Sequence, residues 1–106
     1  MPRFLIEVSY TPEGLKGVLA KGGTARREVV EKMLAELGGT VETFDFAFGG
    51  NDAYVIVDVP DQVTVAAVTM MVGASGSASC RTTVLLSPED IDRASKVKAT
   101  YRPPGS

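Results

Sequence analysis

The sequence predicts an α+β sandwich in βαββαβ order: a four-stranded antiparallel sheet, helices on one face, and a short helix after the last strand. Three observations carry this expectation. Residues 3–10 and 53–59 alternate from side to side with the period of half-buried strands. Residues 24–37 and 62–75 are helical stretches lying between strand-like segments. Gly38-Gly39, Gly49-Gly50, Pro60 and Gly76 interrupt the pattern where one period gives way to the next.

The elements follow in order. In the first strand, residues 3–10, Phe4, Ile6, Val8 and Tyr10 face one side and Leu5, Glu7 and Ser9 the other. Thr11-Pro12-Glu13 then places a capping side chain before a proline at a first helical position, which begins a helix that Gly14, Gly17 and Gly22-Gly23 should keep to a short turn. The main helix starts at Thr24. It sets Val29, Val30, Met33, Leu34 and Leu37 in one apolar stripe and stops at Gly38-Gly39.

A second strand, residues 40–48, is rich in aromatic and β-branched side chains, with Phe44, Phe46 and Phe48 in step. In the third, Ala53, Val55, Val57 and Val59 share a face while Tyr54, Ile56 and Asp58 share the other. Pro60 ends it and Asp61 caps the next helix, which is apolar on nearly every side and therefore expected to be buried on more than one. Residues 79–86 make a fourth strand. Ser87-Pro88-Glu89-Asp90 opens a last short helix with a serine cap and an acidic first turn. Residues 98–106, Pro-, Gly- and charge-rich, are expected to be a flexible tail after a single domain over residues 1–97.

Right-handed crossovers turn this order into a ferredoxin-like sandwich. The sheet face away from the helices would then carry Leu5, Tyr54 and Ile56, joined by the Phe44 to Phe48 row if the second strand takes that phase. Such a face is too apolar for water, and a second copy of the chain is the expected cover, giving a homodimer or higher oligomer.

The bulk numbers narrow function mainly by exclusion. A chain of 106 residues, 44% apolar, is one domain with a small core. With 11 basic and 13 acidic side chains there is no basic field for nucleic acid, and no apolar run approaches a membrane span. Without histidine, Ser-His-Asp and Cys-His catalysis and imidazole metal sites are excluded, and one cysteine, Cys80, makes neither a disulfide nor a thiolate zinc site. Neither a metal nor a cofactor is expected. The lone cysteine and the lack of a leader-like start point to the cytoplasm.

The segments "SYTPEGLKGV", "GGNDAYVIVDVPD" and "RTTVLLSPED", with Gly38-Gly39 closing the main helix, resemble the GYD domain family, small bacterial proteins grouped with the dimeric α/β-barrel, ferredoxin-like folds. The likeness spans residue 4 to about residue 97. Gly49 and Asp52 fit the family's Gly, Tyr, Asp signature, while Asn51 stands where the tyrosine is expected. The family is largely uncharacterised, so the resemblance implies a fold and an oligomer more than a reaction.

Gly49 to Asp52 reads first as a hairpin turn in which glycine accepts positive φ and Asp52 takes backbone N–H groups; the alternative has Asn51 and Asp52 projecting into a cavity. Tyr10, Arg26, Asn51, Asp52 and Tyr54 form the candidate ligand-binding set, since Arg26 opposes the dipole at its helix start and the tyrosines offer hydroxyls. Asp58 and Asp45 read as open-face charges before they read as bases. Arg81 beside Cys80 reads as a cross-strand partner before a thiol activator. The leading expectation is a ligand-binding or assembly module. The alternative, by analogy with dimeric α/β-barrel proteins, is a cofactor-independent monooxygenase-like or isomerase-like enzyme taking a small apolar or aromatic substrate between sheet and helices. A third reading docks the tail, through Lys96, Lys98, Arg102 and Pro103-Pro104, on an acidic partner.

Overall fold

The structure is a computed structural model and describes residues 1–105. Its elements run β1 (Arg3–Tyr10), α1 (Pro12–Lys21), α2 (Gly23–Glu36), β2 (Thr40–Phe46), β3 (Ala53–Asp58), α3 (Gln62–Ala74), β4 (Ala78–Leu85) and α4 (Pro88–Ala94). The sheet order is β2-β3-β1-β4 and every neighbouring pair is antiparallel, as the ferredoxin-like expectation requires.

Alternation decides what each strand buries. Phe4, Ile6 and Val8 of β1 and Ala53, Val55 and Val57 of β3 are all buried, and they meet Leu34 of α2 and Val65 and Val68 of α3 in one core. Leu5, Glu7, Tyr54, Ile56 and Asp58, on the opposite phase, are only half-buried, and no helix packs over them. The register sets Glu7 between Tyr54 and Arg81, and Leu5 between Ile56 and Thr83.

Three features differ from the sequence expectation. The segment after β1 is a full ten-residue helix rather than a turn. Thr11 caps it, accepting from the Gly14 amide, and tertiary bonds fix it: the Thr11 amide and hydroxyl both donate to the Ser77 carbonyl, at 3.0 and 3.1 Å. Tertiary contact thus overrides the low helix propensity of its glycines. Gly14 permits the approach, because a Cβ there would overlap the Ser77 carbonyl.

The second difference lies in β2. A bulge between Val41 and Thr43 shifts its phase, so that odd-numbered Val41 and even-numbered Phe44 and Phe46 all pack against the core on the helix side. The aromatic row therefore belongs to the core face and leaves the open face to Leu5, Tyr54 and Ile56. The ladder stops at Phe46, and Phe48 stacks on Phe46 with ring centroids 6.0 Å apart from a left-handed backbone, φ 53°.

The third concerns α3, which is buried on one side only. Val65 and Val68 face the core, whereas Val63 and Met70 are 77% and 73% exposed. The uniform apolarity of this helix is not used inside the chain.

Candidate functional site

The five candidate residues do not form one site. Tyr10 and Arg26 lie on the helix side of the sheet; Asn51 and Tyr54 lie on the open side; Asp52 joins the turn to β1. Asp52 Oδ2 accepts the Tyr10 amide at 2.8 Å, and its own amide donates to the Val8 carbonyl at 2.8 Å. These bonds fix the hairpin against the end of β1, so Asp52 has a structural task. Gly49 and Gly50 do not take the positive φ anticipated for them; in this turn Phe48 does.

Asn51 spreads its amide over the open face. Its Nδ2 donates to Glu7 Oε2 and to the Tyr54 hydroxyl, each at 3.4 Å, and its Oδ1 accepts from Ser9 Oγ at 3.3 Å. Asn51 therefore meets the Tyr54 hydroxyl in a half-buried polar cluster on the open face of the sheet. Asp58 is also on this face. Its Oδ1 is buried without a hydrogen-bond partner among the described residues, and the Met1 amino group stands 3.9 Å away.

The helix side holds the larger recesses, although not in the place expected. Between sheet and helices, among Ile6, Val8, Met33, Phe44, Val55 and Val68, the void is only about 30 Å³, one water's share of liquid volume. A cavity of about 330 Å³ opens instead at the end of β1, beneath α1 and the start of α2. Tyr10, Val18, Lys21, Ala25, Arg26 and Val29 line it, with the backbone of Gly14, Gly17 and Gly22, and with Glu13 and Ser77. A second recess of about 240 Å³ runs between α2 and α3 past Arg26, Val29, Met33, Met71 and Val72. Arg26 borders all three spaces.

The electrostatics of this corner follow from Arg26. Its guanidinium carbon lies 5.9 Å from the centre of the Tyr10 ring, a cation–π arrangement. Its Nε is buried and has no hydrogen-bond partner, and Arg26 forms no salt bridge among the described residues. Arg27, its neighbour, pairs with Glu31 at 3.6 Å. Burial pushes the Tyr10 phenol above its ordinary pKa while Arg26 pulls it down. Burial raises the Cys80 thiol likewise, against the same opposing charge.

Sequence reasoning missed Lys21, Val18 and the backbone glycines because it read α1 as a turn, and Val29 because it set that residue in the apolar stripe of α2, where it is in fact 57% exposed. The usable signal was the arginine set against the helix dipole at the start of α2. Among the described residues no cluster of potential ligands could hold a metal ion, and no helix is long and apolar enough to cross a membrane.

Sheet order, antiparallel ladders and a one-sided helical layer define a ferredoxin-like α+β domain with one face open. The GYD domain family model matches residues 4–95, and the chain belongs to that family. No curated protein and no solved structure matches it.

Proposed function

We propose that this GYD protein is a small-molecule-binding module that works as a homodimer or higher oligomer, with open sheet faces packed together in the manner of a dimeric α/β-barrel. The observation that carries the reading is the open face: Leu5, Tyr54 and Ile56 lie on the two central strands of the sheet, half-buried, with no helix or strand among the described residues packed over them. Asp58, with a buried oxygen lacking a hydrogen-bond partner among the described residues and the Met1 amino group 3.9 Å away, sits at the margin of that surface and supports the same reading. The cavity beneath α1 and α2 supplies the ligand space. Its volume lies at the small end of the range for ligand pockets, roughly 300–1,000 Å³.

Binding is favoured over catalysis because the monooxygenase-like or isomerase-like alternative needs a chamber between sheet and helices, and that space is about 30 Å³. A single half-buried cysteine suits a reducing, cytoplasmic setting. Light scattering at micromolar concentration tests the assembly. We expect a dimer or larger species from the wild type and a monomer from Ile56→Arg, which sets a charge in the centre of the face. A wild-type monomer sinks the reading.

A further inference from the structure

We propose that the cavity beneath α1 and α2 binds an apolar monocarboxylate, with the carboxylate at Arg26 and the hydrocarbon against Val18, Ala25, Val29 and Tyr10. This rests on the ligand-binding reading above and names the class of ligand. Size, walls and charge all point the same way. The space is about 330 Å³ and the lining is mostly hydrocarbon and backbone glycine, so the bulk of an occupant has to be apolar.

The polar partner is then decided by Arg26. The Nε of Arg26 is buried without a hydrogen-bond partner, which is costly unless something satisfies it, and no carboxylate among the described residues does so: Arg26 stands outside every ion pair among them. A planar fork of N–H donors matches a carboxylate in geometry as well as charge. The cavity's other titratable side chains are Lys21 and Glu13 besides Tyr10, which leaves one net positive charge with Arg26 and so favours a monoanion over a dianion. Gly22 begins α2 without a side-chain cap, and the first turn of α2 contains no acidic residue to compete for that charge.

Calorimetric titration with three probes of similar shape, octanoate, octanol and octylamine, provides the test. The expected result is binding of octanoate at least tenfold tighter than octanol, with octylamine weakest. Arg26→Gln should abolish that preference while leaving octanol affinity within about twofold, and Arg26→Lys should restore part of it. Circular dichroism verifies that each variant is folded; should Arg26→Gln unfold, Lys21→Gln and salt titration on the wild type take its place, each expected to weaken octanoate and spare octanol. Equal binding of octanoate and octanol, or a preference untouched by these changes, overturns the carboxylate assignment and leaves the ligand-binding reading standing. Failure of all three probes, and of phenylacetate, overturns both.

Discussion

At the scale of single residues, Asp52 and Arg26 show how similar signals in the sequence part company in the fold. Asp52 holds the Tyr10 amide at 2.8 Å. A hydrogen bond to a charged group contributes about 1.5–3 kcal/mol, and this one is half-buried, so Asp52→Ala should lower unfolding free energy by about 1–2 kcal/mol in urea, with Asp52→Asn costing less. Since Asp52 does not line the cavity, octanoate affinity should survive the change. Lost binding at unchanged stability would reverse the assignment. Arg26 acts through charge instead. It lowers the pKa of Cys80 against the upward push of burial. Removing it by Arg26→Gln should therefore move the midpoint of the thiol's pH–alkylation profile upward, and a midpoint that stays in place would mean the guanidinium does not act on the sulfur.

Among the elements, the helix starts were legible because capping chemistry is local: Thr11, Asp61 and Ser87 each cap as their sequence neighbourhood predicts. The persistence of α1 was not legible, since it depends on Ser77, which lies 66 residues beyond Thr11. Nor was the face of β2, because a bulge changes the phase without leaving a composition signal. The split of the candidate site was partly legible: alternation already set Tyr10 and Tyr54 on opposite faces of the sheet. Two glycines of α1 turn this into a test. Gly14→Ala should destabilise the protein by at least about 1 kcal/mol, because its methyl meets the Ser77 carbonyl. Gly17→Ala, with nothing within 4 Å of its Cβ, should stabilise by up to about 1 kcal/mol through helix propensity. Equal thermal shifts for both would show that α1 does not dock at Ser77. The caps give a pH dependence. Asp61, accepting from the Thr64 amide and hydroxyl at 2.8 Å, and Asp90, accepting from the Ser87 amide, both have lowered pKa values. A depressed folded pKa contributes stability above the unfolded value, roughly pH 4, and loses it as pH falls through the folded one. Asp61→Asn keeps the acceptor and removes the titration, so its thermal midpoint should match wild type near pH 7 and fall less steeply below pH 4.

For the whole molecule, shape and exposed surface pose one question. The radius of gyration is 16.9 Å and the extents are 57 × 33 × 23 Å, whereas a compact chain of this length has a radius near 13 Å. The excess fits an arm formed by α4 and the residues after it. Every buried residue of the core lies at or before Ala78, while Leu86, Ile91, Val97 and Tyr101 are all more than half exposed. The arm thus adds length without adding to the core, so truncation after Leu86 should leave the thermal midpoint of the domain within about 2 °C, a shift worth well under 1 kcal/mol for a chain this size. The test belongs in the Ile56→Arg background, where self-association through the sheet does not enter the measurement. Small-angle scattering of that variant should give a radius near 16.9 Å with the arm and near 12 Å without it. A radius close to 13 Å for the full-length variant would mean that the arm folds back on its own domain. With the arm laid over the open sheet face, that face would have a cover within the chain and would not need a second copy to supply one.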